Sequence, residues 1–425
     1  MSAIDRRDFL RHSAGTALAL SALTAAGAAD RPNERVRVAV MGVRGRGKDL
    51  ARGFARLAGC EVAFICDIDD AVIGPVVKEV EEIQQKAPGV AKDIRKLLDR
   101  ADVDAVAIAA PDHWHALATV WACQRGKHVY VEKPISHNIL EGRRMVEAAR
   151  KYNRIVQYGC QRRSAEHFQS AVAFIRAGKL GKVPFARAWI AGARKSIGRA
   201  QPAPVPPGVD YELWTGPAEL LPFQPNRFHY NWHWFWNYGT GELGNNGIHA
   251  LDICRWGLGL DAPLRVTCGG GKYFYDDDQE TPDTQLATFD FPNCCVTWEH
   301  RIWSRTGLMG EPWGVAFYGE KGTLVFDKNG WHVEDGIEAA AKPAGNMDRA
   351  HLQNFLDCIR SGKRPNADIE DGHKSTLLCH LGNIAWKLGR TLRFDGSTER
   401  VLDDAEANKL FGRTYRKGFE LPEKV

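Results

Sequence analysis

From Val36 onward the apolar positions fall into short runs separated by amphipathic stretches. Val36–Val40 is a β-branched run that ends at Met41-Gly42 in a glycine-rich turn. Val62–Cys66, Val103–Ala109, His128–Val131 and Ile155–Tyr158 are four more such runs. Helical spacing covers about Lys48–Leu57, Ala71–Lys86, Asp93–Asp99, His115–Gln124 and Ile139–Tyr152 between them. Nearly continuous apolar strands alternating with helices predict an α/β architecture, a parallel sheet with helices on both faces. Sheets of this kind bind ligands beyond the carboxyl ends of their strands. Residues 35–160 are therefore expected to form one α/β domain with a ligand crevice at those strand ends.

Beyond Gln161 the period changes. A helix over Ala165–Ala177 leads to a strand at Pro184–Ala191 and a proline-rich loop at Gln201–Pro207. Alternating strands follow at about Leu264–Cys268, Thr284–Phe289, Cys295–His300, Gly314–Gly319 and Thr323–Phe326. The Gly-Glu-Lys-Gly sequence at 319–322 reads as a hairpin turn, so antiparallel pairing is expected. Asp371–Gly389 reads as a helix returning toward the first domain. Residues 161–425 are thus predicted to form a second, α+β domain.

Composition narrows the function classes. With 44% hydrophobic and 26% charged residues the chain is neither disordered nor fibrous. Lys+Arg 57 against Asp+Glu 52 leaves +5, with the basic residues scattered, so no nucleic-acid partner is expected. Ten cysteines without a C-x-x-C pair predict mostly buried thiols with at most one or two bridges. Residues 1–29 read as a twin-arginine signal peptide. Asp5-Arg6-Arg7-Asp8-Phe9-Leu10-Arg11 precedes an Ala-rich run, Ser13–Ala26, and Ala26-Gly27-Ala28 offers a cleavage site. That route exports proteins already folded, so a periplasmic location is expected. No other segment reaches about 18 uninterrupted apolar residues, so no membrane attachment is expected after cleavage.

Gly42-Val43-Arg44-Gly45-Arg46-Gly47 is an imperfect G-x-G-x-x-G turn, with Arg44 at the second glycine position. Gly45 restores some backbone freedom, and Arg44 is suited to pair with a phosphate. Asp67 follows Gly47 by 20 residues, at the end of the second strand. With strand, glycine turn and acid in register, residues 35–160 are expected to form a Rossmann dinucleotide-binding domain; a carboxylate at Asp67 accepts both ribose hydroxyls and repels a 2′-phosphate, so NAD is expected rather than NADP.

Phe228–Tyr238 packs seven aromatics and two histidines into eleven residues, and the chain has 13 tryptophans. Ring faces stack on sugar C–H surfaces while amide and imidazole edges bind hydroxyls. Tyr230, His233 and Trp234 are the expected sugar contacts, with other rings of the loop in a core. His229 and His233 stand four apart without a third ligand, so no metal is expected.

Val129-Tyr130-Val131-Glu132-Lys133-Pro134, placed after the fourth strand, resembles the Gfo/Idh/MocA family. Pro111-Asp112-His113-Trp114-His115, Gly126-Lys127-His128, Gly241–Asp252 and Glu370-Asp371-Gly372-His373-Lys374-Ser375 support the likeness, which spans about 35–395. The resemblance implies an open, mostly antiparallel sheet in the second domain, whose exposed face would pair in a homo-oligomer. It also implies hydride transfer between nicotinamide and a carbon of a sugar, polyol or glycoside. Pro111, His115, Glu132 and Lys133 would line the cofactor. Lys133 and His249 match the family's lysine and histidine, His249 as the expected catalytic base and Lys133 to hydrogen-bond the reacting hydroxyl or relay its proton, with Arg163 near a polar substrate position. The family often has aspartate four residues before the histidine, where this chain has Asn245. An amide cannot share a proton, so His249 would lean on Asp252 or Glu242 instead. Two alternatives stay open. One is an NAD-dependent glycosidase working by transient oxidation and elimination. The other is a non-catalytic sugar-binding protein that retains NAD.

Overall fold

The computed structural model describes residues 35–425, so the twin-arginine segment lies outside the described residues. The first half runs β1 (Val36–Met41), α1 (Arg46–Ala55), β2 (Cys60–Cys66), α2 (Asp70–Gln84), β3 (Gly89–Ala91), α3 (Arg95–Leu98), β4 (Ala105–Ile108), α4 (Asp112–Gln124), β5 (His128–Val131), α5 (Ile139–Lys151) and β6 (Val156–Tyr158). Its six strands are parallel in the order β3-β2-β1-β4-β5-β6. This is the doubly wound order, with its ligand crevice where the winding reverses beside β1. The strands read as almost unbroken apolar runs because helices cover both faces. The four residues of β4 are all buried.

The second half runs α6 (Glu166–Arg176), β7 (Phe185–Ala191), α7 (Tyr211–Thr215), α8 (Ile248–Leu258), β8 (Arg265–Gly271), β9 (Thr284–Asp290), β10 (Cys295–Arg301), β11 (Trp313–Gly319), β12 (Gly322–Asp327), β13 (Gly330–Glu334), β14 (Ala340–Ala341), α9 (Met347–Ser361), α10 (Ile369–Leu388), β15 (Leu392–Asp395), β16 (Arg400–Val401) and α11 (Ala405–Lys409). Ten strands form one sheet, β14-β13-β12-β11-β7-β10-β9-β8-β15-β16. Pairing is antiparallel except between β7 and β10. Gly319 pairs with Gly322 across the predicted hairpin turn. Along β10 buried and half-buried positions alternate, so one sheet face is covered and the other is not. The covered face packs on α6, α8 and α10 around Trp298, Phe289 and Phe317.

Several short elements escape a reading of periodicity. β3, β13, β14, β15 and β16 hold two to five residues each, too few to show a period. α9 is unexpected as well. It carries Leu352, Phe355 and Leu356 into the core of the first sheet beside Phe54 and Tyr130. α4 starts at Asp112 rather than His115, directly behind Pro111. All ten cysteines are free, and eight of them are buried.

Gly47 explains how tightly α1 sits on β1. A Cβ there would fall 1.7 Å from the Gly42 carbonyl oxygen. Gly47→Ala must therefore push the helix off the turn. The expected cost is about 3 kcal/mol of stability, with loss of nucleotide binding. Thermal unfolding and the nucleotide content of the purified variant check both. An unchanged melting temperature would refute the packing argument.

Candidate active site

A cavity of about 450 Å³ opens at the carboxyl ends of the first sheet and is closed on its far side by the second half of the chain. That volume suits a small ligand. The turn between β1 and α1 contributes Gly42, Arg44, Gly45 and Arg46. Gly42 takes φ +81°, and a Cβ on it would meet Ala110 N at 2.7 Å. No atom stands within 4 Å of a Cβ on Gly45. The turn is thus tight behind and open in front, which suits a pyrophosphate approaching the backbone. Gly47 does not line the cavity, because its role is the close packing above.

Asp67 lines the cavity from the end of β2. It accepts the Val43 N–H at 2.6 Å and the Asp69 N–H at 3.1 Å, which braces the turn against β2. Burial raises its pKa, and these backbone donors oppose the rise. A carboxylate has about four acceptor positions, so capacity for ribose hydroxyls remains. Pro111, His115 and Glu132 also reach the cavity. His115 bridges two loops, Nδ1 to the Pro134 carbonyl and Nε2 to the Ala110 carbonyl, both at 2.7 Å. Glu132 accepts from Arg46 Nε at 2.9 Å, and Arg46 also pairs with Asp348 at 2.7 Å. The chain's own residues therefore form a cradle that fits a dinucleotide.

Across the cavity lies a one-turn π-helix, Leu243–Gly247, that runs into α8 and presents Asn245 and His249. Lys133 Nζ donates to the Asn245 carbonyl at 2.7 Å and to Asn245 Oδ1 at 3.0 Å. Asn245 Nδ2 donates to Glu242 at 3.3 Å, and Arg194 pairs with Glu242 at 2.9 Å. The amide faces a cation with its oxygen and an anion with its nitrogen. An aspartate here would place two carboxylates side by side, so Glu242 gives a physical reason for the amide. Burial pulls the Lys133 ammonium below its ordinary pKa, opposed by Glu132, Asp112 and Glu242.

His249 leans on neither carboxylate expected for it. Its Nδ1 lies 3.4 Å from Cys160 Sγ. Burial, then the charges of Arg162, Lys133 and Arg46, hold its pKa well below the ordinary value, so the ring is neutral. Burial keeps the Cys160 thiol protonated. Asp252 faces a hub of hydrogen bonds and not His249. It takes a bidentate pair from Arg163 at 2.8 Å, the Tyr158 hydroxyl at 2.7 Å and the Ser375 hydroxyl at 2.6 Å. Burial works to raise its pKa, but the Arg163 charge prevails and holds it at about 2. Arg163 is consumed by this pair and does not line the cavity, which corrects its assignment to substrate.

The aromatic loop divides. Trp234 is 2% exposed in a cluster with Trp214, Phe228 and Tyr238, which corrects its placement in the sugar site. Tyr230 and His233 line the cavity together with Trp232, which periodicity did not single out. Trp232 and His233 stack at 3.6 Å between ring centroids. Tyr230 takes a hydrogen bond from Arg194 at 2.9 Å. Among the described residues no group of three side chains is placed to hold a metal ion.

Asp112 is the residue that sequence reasoning passed over. It sits in the first turn of α4, 1% exposed, and lines the cavity. Thr240 Oγ1 donates to its Oδ2 at 2.8 Å, while Oδ1 has no hydrogen-bond partner. Burial pushes its pKa up to about 8, opposed by Thr240 and the Lys133 charge. In the sequence it reads as an ordinary acid at a helix start.

Residues 36–160 match a family model described as the oxidoreductase family, NAD-binding Rossmann fold. Residues 189–281 and 332–421 match the C-terminal alpha/beta domain of the oxidoreductase family. A glycosyl hydrolase family 109 protein 2 from Shewanella sp. (strain ANA-3) is 33% identical over 172 residues, covering 35% of this chain and only 38% of the relative. Among solved structures, an aldose–aldose oxidoreductase from Caulobacter crescentus complexed with glycerol superposes with a TM-score of 0.66 at 20% identity, covering 85% of this chain and 100% of that one. The WlbA dehydrogenase from Bordetella pertussis, in complex with NADH and UDP-GlcNAcA, gives 0.64 at 18% identity over 85% and 99%. These superpositions show a shared fold.

Proposed function

The chain belongs to the Gfo/Idh/MocA oxidoreductase family, and from that premise we propose that it oxidises a hydroxyl of a sugar, polyol or glycoside with a tightly held NAD. The observation that carries this reading is the meeting of Lys133, Asn245, His249 and Asp112 in one cavity beside the glycine cradle. Bound nicotinamide supplies the hydride acceptor. Lys133 takes the hydroxyl proton in the neutral form that burial favours, and Asp112 steadies the resulting ammonium. His249, neutral and ringed by cations, steers the oxygen by hydrogen bonding. Asn245 fixes the Lys133 nitrogen. Trp232 and Tyr230 supply ring faces for the sugar. Asp67 sets the preference for NAD over NADP.

Among the described residues no helix is long and apolar enough to cross a membrane. The twin-arginine segment supports export with the nucleotide already bound, into a periplasm that offers no ready pool of it. The open face of the ten-stranded sheet supports a homo-oligomer. A second reading is favoured by the family 109 relatives. In it, oxidation at one sugar carbon acidifies the neighbouring C–H, the aglycone is eliminated with that proton, water adds across the resulting double bond, and hydride return leaves a hydrolysed glycoside with no net redox.

One experiment tests both readings. The purified protein is denatured to release nucleotide, and the folded protein is given a panel of sugars and nitrophenyl glycosides. Released NAD together with substrate-dependent change in nicotinamide absorbance is expected. Nitrophenol release without net reduction selects the glycosidase. Weak NAD binding with no turnover on either panel would overturn both.

A further inference from the structure

His229 of the aromatic loop reaches back to the first half of the chain. Its Nε2 lies 3.0 Å from Oδ2 of Asp69, whose side chain is buried. Asp69 follows Asp67 just past the end of β2, so the pair ties the loop to the corner of the nucleotide cradle. His229 also holds φ +61°, the left-handed region that a residue with a side chain enters at a cost. Contacts around it must keep it there.

A second connection crosses the same corner. Asp69 and Val209 form an antiparallel bridge. The Asp210 N–H donates to the Ile68 carbonyl at 2.9 Å, and the Asp70 N–H donates to the Gly208 carbonyl at 3.3 Å. Lys92 Nζ pairs with Asp70 at 2.9 Å and donates to the Gly208 carbonyl at 3.0 Å. Ile68 and Val209 pack against the cluster of Trp214, Phe228 and Trp234. Between the two connections runs α7. It is held from behind by Trp114, whose Nε1 donates to the Leu213 and Trp214 carbonyls, both at 3.0 Å.

The cavity lining shows what this segment covers. Asp67, Ile68, Asp93 and Ile94 come from the strand ends, and Leu213, Trp214 and His229 from the segment that crosses them. A nucleotide seated in the glycine cradle with its ribose at Asp67 lies beneath that segment.

We propose that residues 208–233 form a strap over the ribose end of the bound nucleotide, and that parting of Asp69 from His229 sets how fast the nucleotide leaves. This rests on the reading of the cradle as a nucleotide site and on no sugar chemistry. The connection at Val209 is built from several backbone bonds and apolar contacts. The connection at His229 is one side-chain contact, so it is the edge that parts first. Asp69 does not line the cavity, so it acts on the nucleotide only through the strap.

The test is nucleotide release, which needs no turnover. Protein loaded with NADH is mixed with a large excess of NAD, and the loss of energy transfer from tryptophan to NADH gives the release rate. His229→Asn withdraws the ring and keeps a residue that tolerates the left-handed backbone. The ring is 28% exposed, so its loss leaves the fold intact. Asp69→Ser keeps a cap for α2, where Asp69 accepts the Ala71 N–H at 3.0 Å, and is too short to reach His229. Each variant should release NADH at least about tenfold faster than wild type. The double variant should be no faster than the faster single, because both changes break one contact. Release within about twofold of wild type in either variant overturns the proposal. So does multiplication of the two effects in the double variant, which would make them independent. A wild type that takes up no NADH overturns the nucleotide reading, and the strap with it. The rate is read without a sugar, so failure of the sugar chemistry is told apart from failure of the strap.

Discussion

Lys133→Met should leave a protein that folds and retains nucleotide yet turns over its sugar about 10³-fold more slowly. The methionine keeps most of the stem volume and removes the one nitrogen that links the two halves of the site. In the native chain that nitrogen is pinned by Asn245 at 2.7 and 3.0 Å. Its burial disfavours the charged ammonium, which makes the neutral amine easier to reach as a proton acceptor when hydride leaves. The variant buries one charge fewer but leaves two Asn245 oxygens without their donor, so its melting temperature should change only modestly. Single-turnover reduction of bound NAD, compared with nucleotide content, separates chemistry from binding. A variant within about threefold of wild type would remove Lys133 from the proposed proton path.

Asp112→Asn should have the second largest effect, and in two opposite directions. The folded chain holds the Asp112 proton up to about pH 8, whereas an unfolded chain releases it near pH 4. The unfolded state thus binds fewer protons between those values. Native stability falls as pH rises through that window and levels off above it. Asparagine removes this term, so the variant should gain on the order of 4 kcal/mol at pH 7 and very little at pH 4. Catalysis should move the other way. Oxidation by the native protein is expected to climb through about pH 8 as the Asp112 carboxyl sheds its proton and its charge comes to favour the Lys133 ammonium formed in the reaction. The variant should lose that limb, with a fall of about 10²-fold at pH 9. Unfolding at pH 4, 7 and 9, alongside initial rates over the same range, reads both. A limb that persists unchanged would assign it to another group.

The parts of the site that could be read in sequence are those written in local order. The glycine turn, Asp67 and the Glu132-Lys133 pair each follow a strand directly, so the period of the chain places them at its end. His249 and Asn245 stood out through the family likeness, four residues apart at a helix start. The misreadings have a common cause. Asp252 and Arg163 are the right chemical types near the right place, but only the fold reveals that they satisfy one another at 2.8 Å. Trp232 and Trp234 belong to one short helical turn, Asn231–Trp234, that sends one ring to the cavity and the other to a core. Composition cannot separate two tryptophans two residues apart. Asp112 stayed hidden because its environment, not its position, makes it unusual.

The packing of α9 into the first sheet has a consequence for biosynthesis. Arg46 reaches Asp348 across 302 positions, and Leu352, Phe355 and Leu356 complete the apolar layer over Phe54 and Tyr130. Domains ordinarily fold as they leave the ribosome, the N-terminal one first. Here the nucleotide domain remains uncapped until residues near 360 have emerged. The nascent chain must shelter an exposed apolar face for most of its synthesis, and a fragment ending at residue 160 would carry that face permanently into solution.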